Sequence, residues 1–167
     1  MQEQLRFIEL SDSELLAEVK RLAARERSAT SHLIRSLVEL DTRRLYLSEG
    51  CASLFAYCTR VLHLSEYAAY GRIEAARAAS KFPSILDLLE EGALTLTTVT
   101  LLGPLLTAEN FEQVLQAARH KSRREVELLA VTLRPALPSD AERWALPVIK
   151  PVTAEQYRVQ VRLTRET

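Results

Sequence analysis

The sequence predicts a mostly α-helical protein, a multi-helix domain with a helix-turn-helix-like corner and a short C-terminal β-strand. Three observations lead there. Leu, Ala, Arg and Glu dominate the 167 residues, while Gly (4) and Pro (6) are scarce, a composition of helix formers. Apolar residues recur every three or four positions through most of the chain, the period of one helix face. The stretch HLSEYAAYGRI, His63–Ile73, lies between two such runs and carries a serine where an outgoing helix needs a cap. A chain of this length builds one domain with a sizeable core, or one domain with an appendage.

The first helix opens at SDSE, where Ser11 and Glu14 have the spacing of a reciprocal capping box. An apolar stripe follows at Leu15, Val19, Leu22, Ala29, Leu33, Leu37 and Leu40 and continues to about Tyr46. It fits one long helix or two broken at SATS, Ser28–Ser31, because Ser and Thr compete for backbone hydrogen bonds. SEG, Ser48–Gly50, ends this element. Residues 51–62 form a short helix with Leu54, Phe55, Cys58, Val61 and Leu62 turned inward, and His63 and Leu64 make the corner. Ser65 then caps a helix to about Lys81 whose buried set is Ala68, Ala69, Ile73, Ala76 and Ala79.

KFPS stops that helix, since the residue before a proline disfavours helical geometry and the proline itself suits a helix start. Residues 83–91 are a short acidic helix closed by Gly92. LTLTTVTLLGPLL has the Thr and Val content of a strand, but Leu96, Val99, Leu102 and Leu106 keep helical spacing, and a short helix is expected. Thr107 caps the next helix, to about His120. Ser122 and Glu125 form a second capping box that launches a helix to about Leu133. Pro135 and Pro138 mark a linker, and Tyr157–Leu163 alternates apolar and polar as a half-buried strand does. That strand has no evident partner, so a further segment beyond Thr167 is expected. The organisation predicted is a long N-terminal helix or helix pair over 1–50, a helical domain over 51–134, and a linker and strand over 135–167 leading toward another domain.

Twenty-two basic and 22 acidic residues cancel, so no global field draws the protein to nucleic acid or to a membrane. Neutrality hides blocks. Residues 51–81 carry a surplus of two positive charges, 82–112 a deficit of five, and 113–135 a surplus of three. No apolar run approaches the roughly 20 residues of a membrane span, and the N-terminus lacks the basic flank and apolar core of a secretion signal. A cytoplasmic protein with no membrane partner is expected. Cys51 and Cys58, the only cysteines, are spaced for one helix face. They suit small buried side chains in a reducing compartment, with a disulfide as the alternative.

In a helix-turn-helix the second helix needs small residues inside and polar readers outside. Thr59, Ala68 and Ala69 supply the first, with Leu64 plugging the corner. The outer face is expected to carry Tyr67, Tyr70, Arg72 and Arg77, chemistry suited to base edges in a major groove. Arg60, Lys81, Lys121, Arg123 and Arg124 are the expected phosphate ligands, the last three clustered in RHKSRRE around a helix N-terminus that favours anions. Each feature has a plainer reading: an ordinary αα corner with a solvated face, and a turn whose cations pair with Glu125 or Glu127.

The run LHLSEYAAYGRIEAARAASKFPSILDLLEEGALTLTTVTLLGPLLTAENFEQVLQAARHKSRREVELLAVTLRP, Leu62–Pro135, resembles the helical N-terminal region of bacterial proteins that carry an HNH endonuclease domain at their C-terminus. The resemblance extends from about Leu10 to the end, with YRVQVRLTRET similar to the segment leading toward the nuclease. The layout of corner, short helix ending in Gly, and later RREVE helix is also similar to the DNA-binding part of ParB-type partition proteins. The resemblance implies a DNA-targeting module with double-stranded DNA as its partner. An HNH nuclease itself needs a histidine base and metal ligands, whereas His32, His63 and His120 fall in separate elements and none follows residue 120. The sequence also has no Gly-rich phosphate loop, GxSxG elbow or Cys/His metal cluster. No catalytic residue, cofactor, metal or enzymatic activity is therefore expected. The competing expectation is a protein-interaction module that dimerises through Leu15, Val19, Leu22, Leu33, Leu37 and Leu40.

Overall fold

A computed structural model describes residues 8, 10–133, 148–151 and 157–160. The chain divides into two compact units, Met1–Leu133 and Arg134–Thr167. Among the described residues the first unit is all helical, with seven α-helices: α1 Asp12–Thr42, α2 Leu54–Arg60, α3 Glu66–Lys81, α4 Ser84–Glu91, α5 Leu96–Leu102, α6 Phe111–Ala118 and α7 Arg123–Leu133. Short 3-10 turns cover Leu45–Leu47 and Gly103–Leu105. In the second unit, β1 Val148–Pro151 pairs antiparallel with β2 Tyr157–Gln160, Ile149 opposite Val159. The strand expected to stand alone thus has a neighbour that begins nine residues upstream. Its last three expected residues, and the linker prolines 135 and 138, lie outside the described residues.

The helix starts follow their capping chemistry. Ser11 Oγ accepts from the Glu14 N–H while the Glu14 carboxylate accepts from the Ser11 N–H at 2.8 Å, the reciprocal box expected. Ser53, Ser65 and Thr95 each accept from the backbone three residues on. Gly92 closes α4 with φ 78°, a left-handed geometry that glycine adopts without strain. The ambiguous Thr-rich run is helical. There Thr95 serves as cap and the Thr100 hydroxyl bonds back to the Leu96 carbonyl.

The expected stripe runs along one continuous helix, Asp12–Thr42, with no break at SATS. The reason lies across the interface: Ser28 Oγ donates to Glu90 Oε1 at 2.8 Å and Ser31 Oγ to the Leu86 carbonyl at 3.1 Å. These hydroxyls are spent on α4, so they do not compete with their own helix. Arg27 Nε reaches the Glu90 carbonyl at 3.4 Å, one of the acceptors a helix end leaves unsatisfied. Ser31, Ile34 and Leu37 are the buried residues of α1, and α1 packs on both α3 and α4. It therefore shares the core of residues 51–133 and is no separate N-terminal domain.

The expected stripe on α1 is accordingly split. Leu37 is buried and Leu33 and Leu40 are half-buried in the core, whereas Leu15, Val19, Leu22 and Ala29 are exposed. In α2, Leu54 and Cys58 point inward, but Phe55 and Val61 are exposed: seven helical residues present one narrow face, and Leu54 with Cys58 fills it. Both cysteines are free and buried. α6 begins at Phe111, three residues later than a Thr107 cap would start it. Asn110 ties up the turn, its Oδ1 accepting from the Thr107 N–H and its Nδ2 donating to the Leu105 carbonyl.

α3 is the hub, packed against α1, α2, α4 and α5. Ala69, Ile73, Ala75, Ala76, Ala78 and Ala79 are buried on it, which at 100° per residue covers roughly 220° of its circumference. Gly103 approaches so closely that a Cβ there would stand 3.3 Å from the Ala78 Cβ. At its C-terminal end Phe82 stacks on Phe111 of α6, centroids 4.8 Å apart.

Truncation on the two halves of α1 should differ sharply. Ile34→Ala is expected to cost about 2–5 kcal/mol, and Leu16→Ala, on the exposed half, within about 0.5 kcal/mol. Denaturant unfolding at low protein concentration measures both, and equal losses would contradict the packing described.

Candidate nucleic-acid interface

The outer face of α3 is what its buried arc leaves over. Successive positions on that side hold Tyr67, Tyr70, Glu74, Arg77 and Lys81. Tyr67 is 77% exposed and Tyr70 54%. Two large aromatics standing in solvent on one face are unusual, since such surface normally finds cover. Arg77 is exposed and its Nη1 donates to Glu74 Oε1 at 2.9 Å. The face therefore combines two phenols, one ion pair and one further cation.

Arg72 does not belong to it. On the helical wheel it falls between Ala79 and Ile73, inside the buried arc, and the side chain is half-buried. Its Nη1 donates to the Ala68 carbonyl at 3.2 Å and its Nε is buried without a hydrogen-bond partner. Burial pushes the Cys58 thiol up, an effect that the nearby Arg72 charge opposes and Asp41 reinforces. The guanidinium is thus turned back along α3, within electrostatic range of Cys58 on α2. The expectation that Arg72 faces outward with the tyrosines is corrected by this geometry, and the 100° spacing alone carries the signal.

The α2–α3 connection covers residues 61–65. Leu62 and Leu64 donate their N–H groups to the Tyr57 and Cys58 carbonyls at 3.2 and 3.0 Å, satisfying acceptors at the end of α2. His63 takes φ 53°, a left-handed conformation in which a non-glycine residue is tolerated at some cost. Arg60 is exposed in the last turn of α2.

The second basic group sits at the start of α7. His120 takes φ 55° and its N–H donates to the Ala93 carbonyl at 2.8 Å, pinning this corner to the turn after α4. The Ser122–Glu125 capping box is present in both directions. Lys121 Nζ pairs with Glu125 at 2.9 Å, and Arg123 Nε with Glu127 at 2.8 Å. Arg124 is exposed and makes no ion pair among the described residues. Lys121 and Arg123 thus adopt the plainer of the two expected arrangements, each held by a carboxylate one turn along. Exposed pairs of this kind contribute about 0–1 kcal/mol, so a phosphate that offers more can displace them.

The Arg123 guanidinium is held above its ordinary range mainly by the Glu127 hydrogen bond and charge, with a smaller contribution from Tyr67. Tyr67, in the first turn of α3, is thus within electrostatic range of Arg123, in the first turn of α7. Sequence reasoning had no route to this juxtaposition, since 56 positions separate the two residues. His32, His63 and His120 lie on α1, the α2–α3 corner and the α6–α7 corner. Among the described residues no group of three His, Cys, Asp or Glu side chains is arranged to hold a metal, and no helix is long and apolar enough to cross a membrane. Comparison with protein-family models, curated proteins and solved structures finds no match.

Glu125 is drawn down from 4.5 to about 2, first by the Lys121 ammonium and then by the Ser122 N–H and hydroxyl. A depressed carboxylate contributes stability that is present above its ordinary value and lost as pH falls through the folded value. The α7 cap should thus persist to about pH 3 and fail between there and pH 1. A carboxyl-carbon NMR titration of Glu125 should show a midpoint near 2, moving up in Lys121→Ala. A wild-type midpoint near 4.5 would contradict the described cap.

Proposed function

We propose that the helical unit is a duplex-DNA-binding module, the targeting region of a bacterial, cytoplasmic HNH-endonuclease-like protein, with no nuclease chemistry of its own. The observation that carries this reading is the exposed Tyr67–Tyr70–Arg77 face of α3, with Arg123 at the cationic start of α7 in electrostatic range of Tyr67. In this reading α2, the 61–65 corner and α3 act as a helix-turn-helix. Tyr67, Tyr70 and Arg77 enter the major groove, where tyrosine and arginine meet base edges and sugar–phosphate. Lys121, Arg123 and Arg124 reach backbone phosphates beside the groove, exchanging their carboxylate partners for phosphate oxygens. Arg60 and Lys81, at the ends of α2 and α3, serve the same purpose. Arg72, bonded back to Ala68 of its own helix, stays out of the groove.

The protein's zero net charge makes the local patch responsible for all electrostatic attraction. Affinity should therefore be modest and salt-sensitive. Fluorescence anisotropy of a labelled random duplex is expected to show micromolar binding that weakens steeply between two salt concentrations, since counterion release sets that slope. Arg77→Ala should weaken binding, and Arg124→Ala should also reduce the salt slope by about one. Glu91→Ala, which removes the partner of Arg119, should bind as wild type does. No binding at low salt, or equal binding by Arg77→Ala and wild type, would refute the proposal.

A further inference from the structure

We infer that Glu74 gives the outer face of α3 a base preference, by accepting a hydrogen bond from the amino group of a cytosine, so that the duplex this face binds contains G·C pairs. This rests on the DNA-binding reading and specifies the partner of the same site. Tyr67, Tyr70, Arg77 and Lys81 suit a duplex of any sequence, since phenols and cations meet sugar–phosphate everywhere along it. Glu74 does not. At 100° per residue it lies roughly 30° from the midline of the exposed sector, with Tyr70 and Arg77 one turn to either side. It is therefore a carboxylate near the centre of the face, and phosphate repels it. Its side chain is 22% exposed against 63% for Arg77, so most of it is covered. One oxygen, Oε1, accepts from Arg77 Nη1 at 2.9 Å, and the second makes no hydrogen bond among the described residues.

Phosphates line the edges of the major groove and base edges its floor, so a side chain near the midline of an inserted helix face meets the floor. A carboxylate there can only accept. Guanine presents two acceptors in the major groove and thymine an acceptor beside its methyl group, and neither can satisfy it. Adenine presents a donor, but with the N7 acceptor next to it. Cytosine alone offers an amino donor with no adjacent acceptor, and against any other base a charge taken out of water stays uncompensated. Arg77 completes the readout. Three residues along a helix rise about 4.5 Å, close to one base step of about 3.4 Å, so with Glu74 on a cytosine, Arg77 reaches a guanine in the same pair or the next. There its guanidinium donates to O6 and N7, using N–H groups beyond the one it gives Glu74. The ion pair holds both side chains together before the duplex arrives, which lowers the ordering cost of binding.

The test titrates the full chain, at low salt, into two labelled duplex pools, one randomised over all four bases and one over A and T alone. Wild type should bind the mixed pool at least about tenfold more tightly than the A/T pool. Glu74→Gln replaces the acceptor-only carboxylate by an amide that pairs with adenine N6 and N7, and the ratio of the two affinities should fall about tenfold, with unchanged far-UV circular dichroism. The ratio is the decisive quantity, because simple relief of repulsion would raise binding to both pools alike. Wild type that binds both pools equally, or Glu74→Gln with the wild-type ratio, would overturn the inference and leave the DNA-binding reading standing. No binding to either pool would instead remove that reading, and this inference with it.

Discussion

The structure depends on how little space α3 takes up. A helix surrounded by four others needs small side chains wherever an axis comes close, because interaxial distance is set by what stands between the backbones. Five alanines and Ile73 meet that need. The C-terminal half of α1 lies on one part of the arc, α2 and α4 on others, and α5 with its Gly103 extension comes so near Ala78 that even a methyl would crowd it. Alanine contributes little burial energy of its own. Its value here is permissive, since it lets Ile34, Leu37, Ile85, Val99 and Leu102 close around the hub and be buried.

The same constraint determines what is left outside. With roughly 220° of α3 buried, its larger side chains have one remaining sector, and Tyr67, Tyr70, Arg77 and Lys81 occupy it. Arg72 shows the same constraint from inside. It falls near the centre of the arc, and its guanidinium folds back on the Ala68 carbonyl instead of joining the tyrosines. At the start of α7 every cation but Arg124 is held by a neighbouring carboxylate. Apart from Lys81 and Arg124, the cations of this surface thus sit in exchangeable pairs, a state compatible with an anionic partner that competes for them.

Much of this was legible in the residues. Caps carry local signatures, and Ser11–Glu14, Ser65, Gly92 and Ser122–Glu125 all stand where the sequence placed them. Helical content follows from composition and period. What failed was anything decided by a distant neighbour. SATS reads as a break until α4 arrives to accept its hydroxyls. The Leu15–Leu40 stripe reads as one surface until the core claims its second half. Thr107 reads as a cap until Asn110 closes the turn before it. Arg72 is a different kind of miss, since the wheel position was available and the residue type was weighted over its angle. The closeness of Tyr67 and Arg123 is purely tertiary, and no local pattern encodes it.

The most direct measurement of the account is denaturant unfolding of Ala76→Leu beside Ser80→Leu. Ala76 lies in the middle of the buried arc and Ser80 is exposed on the same helix. Overpacking a filled contact costs about 1–3 kcal/mol, whereas the surface change should stay within about 0.5 kcal/mol. A loss confined to Ala76→Leu is the predicted result. Equal stability of Ala76→Leu and wild type would mean that the space around α3 is not limiting, and the account of why this face alone remains exposed would fail with it.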